Sequence, residues 1–188
     1  AILCYVNDTV VYKSLIPETR RKWVKAGVKT FLCPASVKNI KLSKQTYLKV
    51  LLQENWDCLD KIAEELFTKV GIIELNGENI SPKSFLEIAQ KTKQLCAQFD
   101  KTLIIKDRLD ITAIVEADGI FLTSVDIPQN YVYEILSKQT IIGTDDINNL
   151  NADYYLINSN TKPKNTKSCF IKSNVCDNFE YYTLINFN

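Results

Sequence analysis

Two aspartates, Asp107 and Asp126, stand just beyond short apolar runs, Leu103–Ile105 and Ile120–Leu122. Other polar groups trail similar runs. Glu74, Asn76 and Glu78 lie at or beyond the end of Ile72–Leu75. Lys106 and Arg108 flank Asp107, and Thr123 and Ser124 precede Asp126. Thr144, Asp145 and Asp146 follow Ile141–Ile142, and Asn158, Ser159, Thr161, Lys162 and Lys164 follow Tyr155–Ile157. If the runs are neighbouring parallel strands, these groups gather at one end of the sheet, where α/β folds keep their functional residues. Carboxylates placed in this way can hold Mg²⁺ against phosphate oxygens, and Lys and Arg can balance the remaining charge. The plainer reading is that strand ends are polar wherever they occur, and that Arg108 and Asp110 form a local salt bridge.

Composition narrows the chemistry. The chain has 188 residues and no histidine. A Ser-His-Asp triad, a Cys-His dyad and a His-rich zinc centre are therefore excluded. Any metal is expected to be a hard cation held by oxygens. Lys and Arg total 23 against 22 Asp and Glu, so no global basic field draws nucleic acid or acidic lipid. Six scattered cysteines form no Cys-x-x-Cys pair and read as mostly buried thiols of a reducing compartment. Ala1–Val6 reads as a strand, not a leader, and no run approaches the roughly 20 apolar residues of a membrane span. The expectation is a cytoplasmic protein with no membrane and no nucleic-acid partner.

The elements that must position the rim follow from periodicity. Ile2–Val6 and Val10–Tyr12, separated by Asn7-Asp8, read as a hairpin. Pro17 opens a predicted helix through Lys25, and Val28–Cys33 reads as a strand. From Tyr47 the pattern is regular. Strands are expected at Tyr47–Leu52, Val70–Leu75, Thr102–Ile105, Gly119–Leu122, Ile141–Gly143, Tyr154–Ile157, Cys169–Ile171 and Tyr182–Ile185. Helices are expected over Trp56–Thr68 with Asn55 as N-cap, from Ser81-Pro82 to near Phe99, over Leu109–Glu116, and from Pro128 through Leu136. Strands alternating with helices imply a parallel sheet. About eight strands suit an α/β (β/α)₈ TIM-type barrel with shortened late helices, since a full barrel needs roughly 200 residues or more. An open doubly wound sheet is the alternative. The expected organisation is an N-terminal extension, residues 1–42, packed on a barrel of residues 43–188.

The central motifs resemble the thiamine phosphate synthase family, which includes the related thiazole tautomerases. Leu103-Ile104-Ile105-Lys106-Asp107-Arg108-Leu109-Asp110 is similar to the family's strand ending in Asn-Asp-Arg. Glu116-Ala117-Asp118-Gly119-Ile120-Phe121-Leu122-Thr123-Ser124-Val125-Asp126-Ile127-Pro128 is similar to its Ala-Asp-Gly strand ending in His-x-Gly-Gln-x-Asp-x-Pro. Ile141-Ile142-Gly143 and Ala152-Asp153-Tyr154-Tyr155 resemble its fifth and sixth strands. The resemblance implies a (β/α)₈ barrel. It also implies the joining of a hydroxymethylpyrimidine diphosphate to a thiazole phosphate with expulsion of pyrophosphate, Mg²⁺ holding the diphosphate.

Carried over residue by residue, the resemblance makes Asp107 and Asp126 the metal ligands and Mg²⁺ the cofactor. Arg108 and Lys164 become the catalytic cations. Glu74, Asn76, Lys106, Thr144, Thr161 and Lys162 become the substrate contacts. The ligand is then a small phosphorylated substrate or pyrophosphate, with self-association left open. Several family groups are replaced. Glu74, Asn76 and Glu78 occupy its Gln-x-Arg-x-Lys positions, Thr123-Ser124 its Gly-Gln, Asp145 a serine, and Lys172-Ser173 its Gly-Gly turn. Phe121 stands at the histidine associated with tautomerase activity. Each lost stabiliser of developing charge costs about 3–4 kcal/mol. The expectation is therefore an impaired synthase. The rivals are a non-catalytic ligand-binding or assembly protein, using the N-terminal segment and Tyr181, Tyr182 and Phe187 as a partner surface, and a synthase with an altered phosphate clamp.

Overall fold

The computed structural model describes residues 2–6, 9–14, 30–32, 38, 41–44, 46–68, 70–158 and 168–185. The chain divides into two compact units, Ala1–Ile40 and Lys41–Asn188. In the first, β1 (Ile2–Val6) pairs antiparallel with β2 (Thr9–Ser14) and with β3 (Thr30–Leu32), giving the order β2-β1-β3. The expected hairpin is β1–β2. The helix expected from Pro17 lies outside the described residues.

The second unit is a closed eight-stranded barrel. Its strands are β4 (Thr46–Gln53), β5 (Ile72–Asn79), β6 (Thr102–Lys106), β7 (Gly119–Phe121), β8 (Ile141–Thr144), β9 (Tyr154–Ile157), β10 (Ser168–Cys176) and β11 (Phe179–Ile185). Closure rules out the open doubly wound sheet. Helices α1 (Leu59–Thr68), α2 (Pro82–Gln98), α3 (Leu109–Ile114) and α4 (Gln129–Ile135) follow the first four barrel strands. No helix is described between β8 and β9, as the short connection predicts.

Two sequence expectations change. Asn55 does not cap α1: it sits in a turn at φ 60°, and α1 starts at Leu59, where Ile62 N–H donates to Cys58 O at 2.9 Å. The last two strands are not joined by a βα unit. They form a hairpin in which Cys176 pairs with Phe179 across Asp177-Asn178, with Asp177 at φ 50°. A two-residue connection can join only antiparallel strands, and a left-handed first position suits a primed turn. So β4 through β10 run parallel, and β11 closes the barrel antiparallel to both β10 and β4.

Strand alternation builds two cores. Leu48, Val50, Ile73, Leu75, Leu103 and Ile105 face outward onto Ile62 and Leu66 of α1 and Phe85, Ala89 and Cys96 of α2. Tyr47, Ile72, Ile104, Phe121, Tyr154 and Phe170 face inward and fill the bore. Tyr154 and Phe170 meet at right angles with ring centroids 5.9 Å apart, and Tyr47 lies 5.4 Å from Phe170. Gly143 is needed beside Tyr154, because a Cβ there would fall 2.0 Å from the phenol ring. Ser81 opens α2 as expected: its Oγ accepts from Ser84 N–H, and Pro82 is the first helical residue. Cys58, Cys96 and Cys169 are buried thiols, while Cys176 is exposed.

Asp118 locks the opposite end of the barrel from the rim. It accepts from Leu103 N–H at 2.9 Å and pairs with Lys93 of α2 and with Lys41. Burial alone would raise its pKa, but Lys41, Lys93 and the Leu103 amide outweigh burial and hold it below the usual carboxylate range. A lowered carboxyl stabilises the fold above its unfolded value and loses that contribution as pH falls through the folded one. Asp118→Asn should therefore lower stability at neutral pH by about 2 kcal/mol, the scale of a charged hydrogen bond. Urea unfolding should show the deficit shrinking below about pH 4.

Candidate functional site

The faces that fill the bore continue upward and decide which side chains reach its mouth. Above Tyr47 on β4 comes Lys49. Above Ile104 on β6 comes Lys106, and above Phe170 on β10 comes Lys172. On the antiparallel β11 the same parity presents Glu180 beside Tyr182. These groups line a cavity of about 290 Å³ whose floor includes Phe121 and Leu156, with Thr123, Asp145 and Asn158 at its rim. Lys172 Nζ lies 2.6 Å from Glu180 Oε1, and Lys49 Nζ lies 3.5 Å from Glu180 Oε2. Tyr182 donates to Glu180 Oε2 at 3.0 Å. Burial would push this carboxyl up, yet Lys172, Lys49 and Tyr182 hold it below its ordinary value.

Asp107 and Asp126 come together at the ends of β6 and β7. Asp107 adopts φ 57°, which turns the chain from β6 into α3, and its N–H donates to Phe121 O at 3.0 Å. A left-handed backbone is costly, and Asp bears it better than most residues. Asp126 is fixed by Thr123, whose N–H and hydroxyl donate to Oδ2 at 2.6 and 2.9 Å. Burial raises the Asp107 carboxyl above its ordinary pKa, and the hydrogen-bonded Asp126 raises it further, against the pull of Lys106 and Arg108. Two such close carboxylates suit a divalent cation. Mg²⁺ commonly takes one or two carboxylates and fills its octahedron with water and phosphate oxygens. Among the described residues no group of three or more Asp, Glu or Cys gathers as a complete protein metal cage.

The other expected site residues are placed differently. Lys106 lines the cavity and also pairs with Glu78. Arg108 is turned onto Asp110, Nε to Oδ1 at 2.9 Å and Nη2 to Oδ2 at 2.6 Å, which is the local salt bridge. Thr144 is buried, and its hydroxyl accepts from Asp146 N–H at 3.2 Å. Its neighbour Asp145 lines the cavity in its place. Asn76 is buried and accepts from Glu78 N–H at 3.1 Å. Thr161, Lys162 and Lys164 lie outside the described residues. Lys49, Lys172, Glu180 and Tyr182 escape a search confined to the loops after strands. Their signal is parity: Lys49 interrupts the apolar run Tyr47–Leu52 on the face of Tyr47, and Lys172 follows Phe170 by two.

Glu74 lies inside the barrel, fully buried. Tyr47 donates to its Oε2, and the Tyr47 and Tyr154 hydroxyls lie 2.9 Å apart. Oε1 has no hydrogen-bond partner.

The barrel carries carboxylates and lysines around its C-terminal mouth, the end at which (β/α)₈ barrels keep their functional groups. The profile of the thiamine monophosphate synthase family matches residues 49–159, more than half of the chain. This chain belongs to that family. The thiamine-phosphate synthase of Fusobacterium nucleatum is 43% identical over 82 residues, covering 44% of this chain and 40% of that protein. That of Clostridium tetani is 36% identical over 86 residues, covering 45% and 41%. The matched stretch thus spans about two fifths of these relatives' own length. A solved structure, the thiamine phosphate pyrophosphorylase from Pyrococcus furiosus, superposes with a TM-score of 0.56 at 23% identity, over 64% of this chain and 63% of that one, and shares the fold. No helix among the described residues is long and apolar enough to cross a membrane.

Glu74 supplies a direct test of the bore. Burial raises its pKa, against the pull of Lys49, Tyr47 and Lys106. A raised carboxyl contributes stability that is fully present below its unfolded value and lost as pH rises through its folded one. Glu74→Gln keeps an acceptor for Tyr47 and removes the charge. Its stability relative to wild type should be lowest near pH 4 and should increase with pH, as followed by urea midpoints. A pH-independent difference would show that Glu74 does not titrate in the fold.

Proposed function

We propose that this protein is a thiamine-phosphate-synthase-type protein of thiamine biosynthesis with lowered catalytic power. The reaction joins a pyrimidine diphosphate to a thiazole phosphate and releases pyrophosphate. The observation that carries the reading is the Asp107–Asp126 pair at adjacent strand ends, beside Lys106 and the cavity. Bound Mg²⁺ would supply neutralising charge between these carboxylates and the diphosphate. Thr123 keeps Asp126 oriented, and the turn at Asp107 aims its carboxyl at the same place. Lys106 would meet the charge that develops as the pyrimidine C–O bond breaks. By the family resemblance, Lys164 is proposed as a catalytic cation and Thr161 and Lys162 as substrate contacts.

Two placements support lowered turnover. Glu78 competes for Lys106, and Asp110 holds Arg108 through both of its oxygens. Losing one preorganised stabiliser of transition-state charge costs about 10²–10³ in rate. The same two placements favour, as a second reading, a ligand-binding protein without turnover.

Purified protein given the two precursors with Mg²⁺ should release pyrophosphate at least about 10²-fold more slowly than an ordinary synthase assayed alongside. Asp126→Ala should abolish that release. A rate equal to the ordinary synthase overturns the lowered-power reading. No release on long incubation leaves the ligand-binding reading.

A further inference from the structure

We propose that Lys49, Lys106 and Lys172 form a phosphoryl-anion clamp at the barrel mouth, and that Glu180 holds its place as an internal counter-anion until a ligand enters. The inference rests on the phosphorylated-ligand reading above and assigns the anion to side chains of β4, β6 and β10.

The argument starts from cost. Lysines are rarely buried, and a strand position facing a barrel interior is among the least hospitable for an ammonium group. Here three strands each place one at the same level, with side chains only 19%, 13% and 31% exposed for Lys49, Lys106 and Lys172. All three reach one cavity. Strand pairing does not call for them, because β11 pairs with both β4 and β10 through the backbone.

The counter-charges are also informative. Glu180 serves two lysines at once and accepts from Tyr182 as well, so one carboxylate occupies the donors of a larger anion. Lys106 draws its partner from outside the cavity, the 58% exposed Glu78, and exposed pairs contribute little. A carboxylate offers two oxygens to the three ammonium groups. A phosphate or diphosphate offers more oxygens and more charge, and it can meet all three together with the Asn158 side chain at the rim. A bulge between Lys172 and Asn174 re-aims β10 at this point, as bulges beside binding sites commonly do. The clamp adjoins the Asp107–Asp126 pair through Lys106, while Lys49 and Lys172 reach the anion from other strands without a metal.

Calorimetry on the full chain in EDTA, with inorganic pyrophosphate and then orthophosphate, tests the clamp. Wild type should bind pyrophosphate more tightly than orthophosphate. Lys49→Gln and Lys172→Gln should each weaken pyrophosphate by about tenfold, the scale of one charge-assisted hydrogen bond. Glu180→Gln should tighten it, because the internal competitor is gone. Thermal unfolding of each variant shows whether it is folded. Absence of pyrophosphate binding to wild type overturns the clamp. So do folded lysine variants that bind as wild type does, since a merely bracing cluster would change the melting temperature and leave affinity alone. The synthase reading is tested separately by pyrophosphate release from the two precursors with Mg²⁺. Metal-free binding without release would leave the clamp standing and remove that reading. Release without metal-free binding would do the reverse.

Discussion

Closure through β11 is the constraint on which the rest of the barrel depends. Seven parallel strands present two open edges, each a row of unpaired backbone groups. A further βα unit would need a dozen or more residues of crossover. The chain closes instead with a hairpin, in which β11 doubles back on β10 and pairs with β4. Closure then makes one face of every strand an interior. A lysine at the right parity becomes a group at the mouth of a cavity rather than a solvated surface charge.

That interior is unusual in what fills it. Tyr47, Tyr154, Phe170 and Tyr182 crowd the bore, and Gly143 makes room for Tyr154. Aromatic rings with a polar tip bury large area but need partners for their hydroxyls. Tyr47 finds Glu74, Tyr154 finds Tyr47, and Tyr182 finds Glu180. The phenols thus lead from an apolar floor to a charged mouth. Glu74, expected as a rim contact with substrate, serves here as an acceptor inside the core.

The charged groups divide by how they are held. Asp118 at the far end is satisfied by a backbone amide and two lysines, which is a structural arrangement. Asp107 and Asp126 hold each other with raised proton affinity at Asp107, a less settled state that a cation would relieve. Arg108 and Asp110 satisfy each other, so a residue that fits the family pattern in sequence is spent on its neighbour.

Much of this was legible in the residues alone. The period-two and helical patterns located all eight barrel strands and four helices, because an apolar face facing a core leaves a regular trace. The Asp107 and Asp126 positions followed from strand ends and motif spacing. What pattern alone did not reveal was long-range pairing. The direction of β11 depended on a two-residue turn, and the convergence of Lys49 and Lys172, 123 positions apart in sequence, arises only after β11 brings β4 beside β10. The rotamer that sends Arg108 to Asp110 was equally a matter of local competition in space. Sequence determined the local elements and the inventory of charge, because those depend on neighbours along the chain. Tertiary structure decided which charges meet, because their separation is set by closure of the sheet.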